Sequence, residues 1–188
     1  YYSFDSASIV TVDQGSCGYW IQYKTSVPIS ALNVGVHFRN SADPDDHIGS
    51  LTGSSQEQRL SIRKTGAVAT IIATTVANLA IDTWYFVVFR WHISADKRAI
   101  EVYDSSLTLI DSTEDLATDL AAFTPTTIDT IRIGNNSSHG NPVWMDNVMI
   151  SDTYGEDLTS YANYTSYTQF TSIPWQQLYR RPNTLLRM

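Results

Sequence analysis

The stretch Trp84-Tyr85-Phe86-Val87-Val88-Phe89-Arg90-Trp91 limits what this chain can fold into more than any other. Its aromatic and β-branched residues read as a strand, and side chains along a strand alternate between two faces. Here both alternating sets are apolar, so neither face tolerates water. The strand must lie in the middle of its sheet and be covered on both sides.

The chain has 188 residues, of which 43% are hydrophobic and 16% charged. That is enough to bury one sizeable core, and the Ser, Thr, Asn and Tyr content suits a sheet protein with polar loops. Short apolar alternations at 9–12, 19–23, 32–38, 60–63 and 68–75 predict strands. Between them the longest predicted loop is 40–58, where Asp43, Pro44, Asp45, Asp46, Gly49 and Gly53 favour turns. Segments 99–103 and 107–110 flank Asp104-Ser105-Ser106 and predict a hairpin beside the central strand. Segments 128–134 and 143–150 are expected to close the sandwich as a pair. A connector helix is expected over 113–123, because Leu116, Leu120 and Phe123 recur at helical spacing behind Glu114 and Asp115.

The net charge of −7 argues against nucleic acid as a partner, because gripping phosphates needs a concentrated positive surface. The charge is uneven: no acidic residue follows Asp157, so Arg180, Arg181 and Arg187 give residues 158–188 a charge of +3, against −10 for residues 1–157. The segment 158–188 is also aromatic without periodicity, and it reads as an extended C-terminal arm on a domain spanning 1–157. Trp175, Tyr179, Arg180 and Arg181 are its candidate assembly contacts with a neighbouring protein subunit, in a homo- or hetero-oligomer. Cys17 is the single cysteine, so no internal disulfide forms, and it is expected to be a small core residue. No 18-residue apolar run predicts a membrane helix, so no membrane partner is expected. A chain that begins at Tyr1 and not at Met is read as a processed product or an excised piece.

Three stretches, in order, resemble the concanavalin-A-like/laminin-G-like jelly-roll superfamily. The first is Tyr2-Ser3-Phe4-Asp5-Ser6 leading into Ile9-Val10-Thr11-Val12, with Ser6 where the family favours Gly. The second is residues 81–91 followed by Ile100-Glu101-Val102-Tyr103-Asp104. The third is Ile131-Arg132-Ile133-Gly134 followed by Trp144-Met145-Asp146-Asn147-Val148-Met149-Ile150-Ser151. The resemblance spans residues 2–152 and implies an all-β fold: a two-sheet antiparallel jelly-roll sandwich. Within it, Trp84, Phe86, Val88, Ile131 and Ile133 are expected in the core.

The chain lacks the chemistry of the enzymes built on this fold. The Glu-x-Asp-x-x-Glu strand of its glycoside hydrolases is absent, and Glu101, between Ile100 and Val102, faces away from the core side. The Arg-x-Glu-x-Arg, Gln-x-His and Tyr-Phe-Lys motifs of jelly-roll polysaccharide lyases are missing too. His37, His47, His92 and His139 show no zinc spacing. Asp146 shares parity with Trp144, Val148 and Ile150 and is expected to point inward, where a carboxylate needs a partner. It either caps backbone N–H groups or, as the resemblance implies, holds a structural Ca2+ together with Asp5. Loops 43–53 and 135–142, with Trp144 or Trp20 for stacking, are the expected glycan contacts.

These features point to a non-catalytic structural or adhesive module on a virion or an extracellular surface. The most specific form of that expectation is a virion-associated protein, such as a phage capsid-decoration or tail component. The alternative is the carbohydrate-binding domain of a secreted or surface protein, and behind it a divergent polysaccharide hydrolase or lyase.

Overall fold

The computed structural model describes residues 2–5, 10–23, 34–43, 45–53, 56–74, 79–116, 118–135, 143–162 and 186–187. Among these residues twelve strands form an antiparallel jelly-roll sandwich of two six-stranded sheets. Sheet 1 has the order β1 (Tyr2–Asp5), β10 (Thr130–Asn135), β3 (Val34–Arg39), β4 (His47–Thr52), β5 (Gln58–Arg63), β6 (Thr70–Ala73). Sheet 2 has the order β12 (Leu186–Arg187), β11 (Val143–Ser151), β2 (Gln14–Tyr23), β7 (Trp84–His92), β8 (Lys97–Tyr103), β9 (Leu109–Asp115).

Strand β7 is central, as its two apolar faces require, with β2 on one side and β8 on the other. Tyr85, Val87, Phe89 and Trp91 face sheet 1 and join Tyr19, Ile21, Val36, Phe38, Ile48, Leu60, Ile62 and Ile131 in the main core. Phe86 and Val88 point the other way. They are fully buried, but in a second cluster on the outer face of sheet 2, with Trp20, Met149, Leu158 and Ala162. Trp84 is only partly buried at its edge, and Ile133 is a partly buried neighbour of the main core.

The cover over Phe86 comes from residues expected in the arm. Leu158 and Ala162, at the start and end of the segment that carries a one-turn helix α1 (Thr159–Ala162), lie on this face, and the Trp20 indole N–H donates to the Ala162 carbonyl at 3.1 Å. Residues 158–162 therefore pack with the sandwich. β12 further adds two residues to the edge of β11, pairing Arg187 with Met149 and Leu186 with Ile150. Leu158 and Ala162 thereby bury apolar surface that the strands alone leave bare.

Other expectations change as well. The loop 40–58 contains β4, whose Ser50 and Thr52 are buried and satisfied from the opposite sheet: Tyr19 OH donates to Ser50 Oγ at 2.9 Å, and Tyr23 OH lies 2.9 Å from Thr52 Oγ1. The helix expected over 113–123 is absent among the described residues. Pairing of Ile100 with Thr113 and Arg98 with Asp115 extends β9 to Asp115, and a 3-10 turn at Ala121–Phe123 is all the helix that remains. Leu120 is buried while Leu116 is 57% exposed, so the helical spacing had no common face to bury. β10 and β11 do not pair with each other; they lie in opposite sheets. The first strand is Tyr2–Asp5, and residues 10–12 bury Val10 without joining a ladder.

Candidate functional site

The outer face of sheet 2 holds a polar cleft beside the Phe86 cluster. Ile100 and Val102 take the core side of β8, which turns Ala99, Glu101 and Tyr103 outward. Register places Arg90 of β7 across from Ala99, and sets Glu114 and Ser112 of β9 across from Ala99 and Glu101. Ala99 is small and leaves the floor open between the charged groups. The segment Tyr154-Gly155-Glu156-Asp157, C-terminal to β11, forms the other wall and encloses about 320 Å³.

The side chains of this cleft hold one another in place. Arg90 donates through Nη2 to Glu101 Oε2 at 3.0 Å and through Nη1 to the Glu156 carbonyl at 2.6 Å. Tyr103 OH donates to the same Glu101 oxygen at 2.8 Å, Tyr154 OH to Glu114 Oε1 at 2.9 Å, and Tyr161 OH to Glu156 Oε1 at 3.1 Å. Asp157 Oδ1 accepts from the N–H and hydroxyl of Thr159 at 3.1 and 2.6 Å, which fixes the start of α1. Burial raises the phenols of Tyr103 and Tyr154 above their ordinary range, and the carboxylate each one donates to raises it further. Both stay protonated donors at any physiological pH.

Glu101, Glu114, Glu156 and Asp157 face Arg90, the one cation among the described residues that line the cleft, so the cleft has a surplus of acceptors. Oε1 of Glu101 and Oε2 of Glu114 take no part in these bonds. Such an array suits a ligand rich in hydroxyl donors and repels an anion.

Of the residues singled out from sequence, Asp146 lies outside this cleft. Asp146 is exposed, because a bulge between Asp146 and Met149, with Asn147 at φ 51°, resets the parity of β11. It turns outward with Trp144 while Val148 and Ile150 reach the core. Asp5 is on β1 in sheet 1 and Asp146 on β11 in sheet 2, and among the described residues no cluster of three or more metal-ligating side chains forms. Trp20 is buried and unusable for stacking, whereas Trp144 is 59% exposed on the cleft's side of the sandwich. Half of the expected rim 43–53 is β4, and 136–142 lie outside the described residues, as do Trp175, Tyr179, Arg180 and Arg181. Cys17 is a free, fully buried core residue whose thiol is pushed up by burial. Among the described residues no helix is long and apolar enough to cross a membrane.

Arg90, Glu101, Glu114, Tyr154 and Glu156 were not anticipated. Two signals were present: Arg90 interrupts an apolar strand, and Glu101 sits between Ile100 and Val102.

No protein-family model and no curated protein matches the chain. Solved structures do match in fold. The botulinum neurotoxin serotype G binding domain superposes with a TM-score of 0.55 at 11% identity, over 84% of this chain and 37% of that one. The enzymatically active domain of bacteriophage CBA120 tailspike protein 2 gives 0.56 at 10% identity, over 88% of this chain and 26% of that one. The CBM40 domain of a Ruminococcus gnavus IT-sialidase, bound to alpha2,3 sialyllactose, gives 0.53 at 12% identity, over 80% of this chain and 82% of that one. This chain thus spans little more than a third of the neurotoxin chain and about a quarter of the tailspike chain. Likeness at such identity shows the jelly-roll sandwich and nothing about its ligand.

Proposed function

We propose that this chain is a non-catalytic glycan-binding module of the concanavalin-A-like kind, displayed on a virion or another extracellular surface. The observation that carries the reading is the cleft of Arg90, Glu101, Glu114, Tyr154 and Glu156, whose polar side chains are already fixed before a ligand arrives. A ligand entering it meets oriented acceptors and loses little affinity to ordering them. Support in kind comes from a carbohydrate-binding domain and a phage tailspike among the proteins that share the fold. The acid surplus favours a neutral or amino sugar.

A glycan array with titration calorimetry on its hits tests the reading. Glu114→Gln removes a charge that, among the described residues, accepts a side-chain hydrogen bond from Tyr154. It is expected to weaken binding about tenfold, the loss of one charged hydrogen bond, while the melting temperature stays within about 2 °C of the wild type. An array with no ligand, or a variant that binds like the wild type, would remove the cleft from consideration.

The arm supports assembly as a second role. Its aromatic residues and three arginines come after a body of charge −10, which suits docking on a neighbouring subunit. Deleting 171–188 retains Leu158 and Ala162 and removes only the two-residue edge strand β12 from sheet 2, so the sandwich is expected to fold with a nearly unchanged far-ultraviolet spectrum. Light scattering should show a full-length oligomer reduced to monomer; a full-length monomer, or an oligomer that survives the deletion, would refute the role.

A further inference from the structure

The end of sheet 2 remote from the cleft carries a row of aromatic and amide side chains that the cleft does not use. Ile21, Tyr23 and Tyr85 point into the core, so Gln22 and Trp84 alternate to the outer face, and Met145 packs on the core and turns its neighbour Trp144 outward. Register sets Trp144 directly opposite Gln22 and Gln22 directly opposite Trp84, one residue from each of three neighbouring strands. Asp146 comes next along β11 on the same face, opposite Trp20. Trp84 and Arg90 lie toward opposite ends of β7, roughly 20 Å apart along the strand, so the row and the cleft are separate places.

The bulge at Asn147 is what keeps Trp144 and Asp146 outward, since unbroken alternation would send them to the core with Val148 and Ile150. Trp144 is 59% exposed, while Trp84 is partly buried against the Phe86 cluster. Asp146 accepts from the Asn147 N–H through Oδ1 at 2.7 Å, and its Oδ2 takes no hydrogen bond among the described residues.

Gln22 is the residue that points to a ligand. It lies between the two indoles, is 7% exposed, and makes no side-chain hydrogen bond among the described residues. Neither of its amide atoms is among the fully enclosed atoms without a partner, whereas both amide atoms of Asn147 are, so the Gln22 amide still meets solvent. An amide so deeply set normally has its donors and acceptor filled. A hydroxyl group fills both kinds, because it donates and accepts; an ammonium only donates and a carboxylate only accepts.

The flanking indoles narrow the class further. An indole covers the C–H face of a pyranose ring, and sugars whose hydroxyls are equatorial present such a face while their hydroxyls point sideways, here toward Gln22 and Asp146. Strand spacing sets Trp144 and Trp84 about 10 Å apart, the reach of two rings in an extended chain, with the linkage above Gln22. Asp146 is the charged member of the row and turns anionic sugars away. We propose that Trp144, Asp146, Gln22 and Trp84 form a second saccharide site, for a neutral β-1,4-linked chain of glucose-type pyranoses. The proposal rests on the reading that this chain binds glycans, but at a different place and through stacking.

Titration calorimetry and tryptophan fluorescence on the full chain test this with cellohexaose and xylohexaose, against maltohexaose, whose α-linked chain curves away from a flat row. At least one β-linked chain is expected to bind saturably and shift the fluorescence, and maltohexaose is not. Trp144→Ala is expected to weaken binding at least tenfold, with Trp144→Phe keeping part of the affinity. Because this side chain is largely exposed, the melting temperature of Trp144→Ala should stay within about 2 °C of the wild type. Asp146→Ala, also exposed, should weaken binding severalfold. Binding lost in Trp144→Ala and unchanged in Glu114→Gln supports the row even where no ligand is found for the cleft. Binding that depends on Glu114 and not on Trp144 keeps the cleft and overturns the row. No saturable response to either β-linked chain overturns it too, as does an oligomer of the full chain that Trp144→Ala dissociates, which would assign this face to a second copy.

Discussion

Phe86→Ala is expected to cost about 3–5 kcal/mol of unfolding free energy, the range for deleting a fully buried aromatic side chain. The ring is completely enclosed, 5.2 Å from the Trp20 ring and 6.3 Å from that of Tyr103, and Leu158 and Ala162 complete the cluster around it. Leu158→Ala, which opens the same cluster from the other side, should cost about 2–5 kcal/mol. Because the two side chains share one cluster, the double variant should lose less than the sum of the single losses. Urea unfolding measures all three. A loss below about 1 kcal/mol for Phe86→Ala would mean that the outer face of sheet 2 is not dry.

Acid should destabilise this protein as the pH falls from about 6.5 to about 4. Burial lowers His47 to about 4, with the charge of Arg39 adding to the effect, and burial holds His37 well below 6.5, helped by His47, Arg39 and Arg132. In the unfolded chain both imidazoles bind protons near pH 6.5. Between that value and about 4 the unfolded state holds more protons than the native state, so stability falls as pH falls and is fully recovered above 6.5. For His47 alone the loss by pH 4 amounts to about 3 kcal/mol, and His37 adds to it. Asp129, lowered by its bonds to Ser41, acts in the same direction but only below 3.8, outside this window. Urea midpoints between pH 7 and 4 should decline steadily, and His47→Gln should flatten the decline. A flat profile in the wild type would show that these rings are protonated in the fold.

How far the molecule was legible in its sequence can be judged element by element. The two apolar parities of β7 demand burial on both faces wherever the strand lies, because its side chains alone set that requirement. The hairpin of β8 and β9 comes from local turn chemistry at Asp104, whose Oδ1 accepts from the N–H groups of Ser106 and Thr108. β4 was hidden because its stabilisation is not local: Ser50 and Thr52 look like loop residues until Tyr19 and Tyr23 arrive from the other sheet.

The same distinction separates the site from the motifs. Asp146 has inward parity by counting, and one bulged residue, Asn147, reverses it. Leu116, Leu120 and Phe123 have helical spacing, yet pairing of β9 with β8 prevailed over it. The cleft draws Arg90, Glu101, Glu114 and Glu156 from separate strands and a loop, and no one segment shows that they meet. Sequence alone determined the need to bury both faces of β7, since that depends on how apolar side chains alternate along a strand, and the resemblance across residues 2–152 implied the class of fold. Tertiary structure decided which charges meet and which residues cover Phe86. Register, bulges and the path of the chain after β11 set those, and each depends on contacts between residues far apart in the chain.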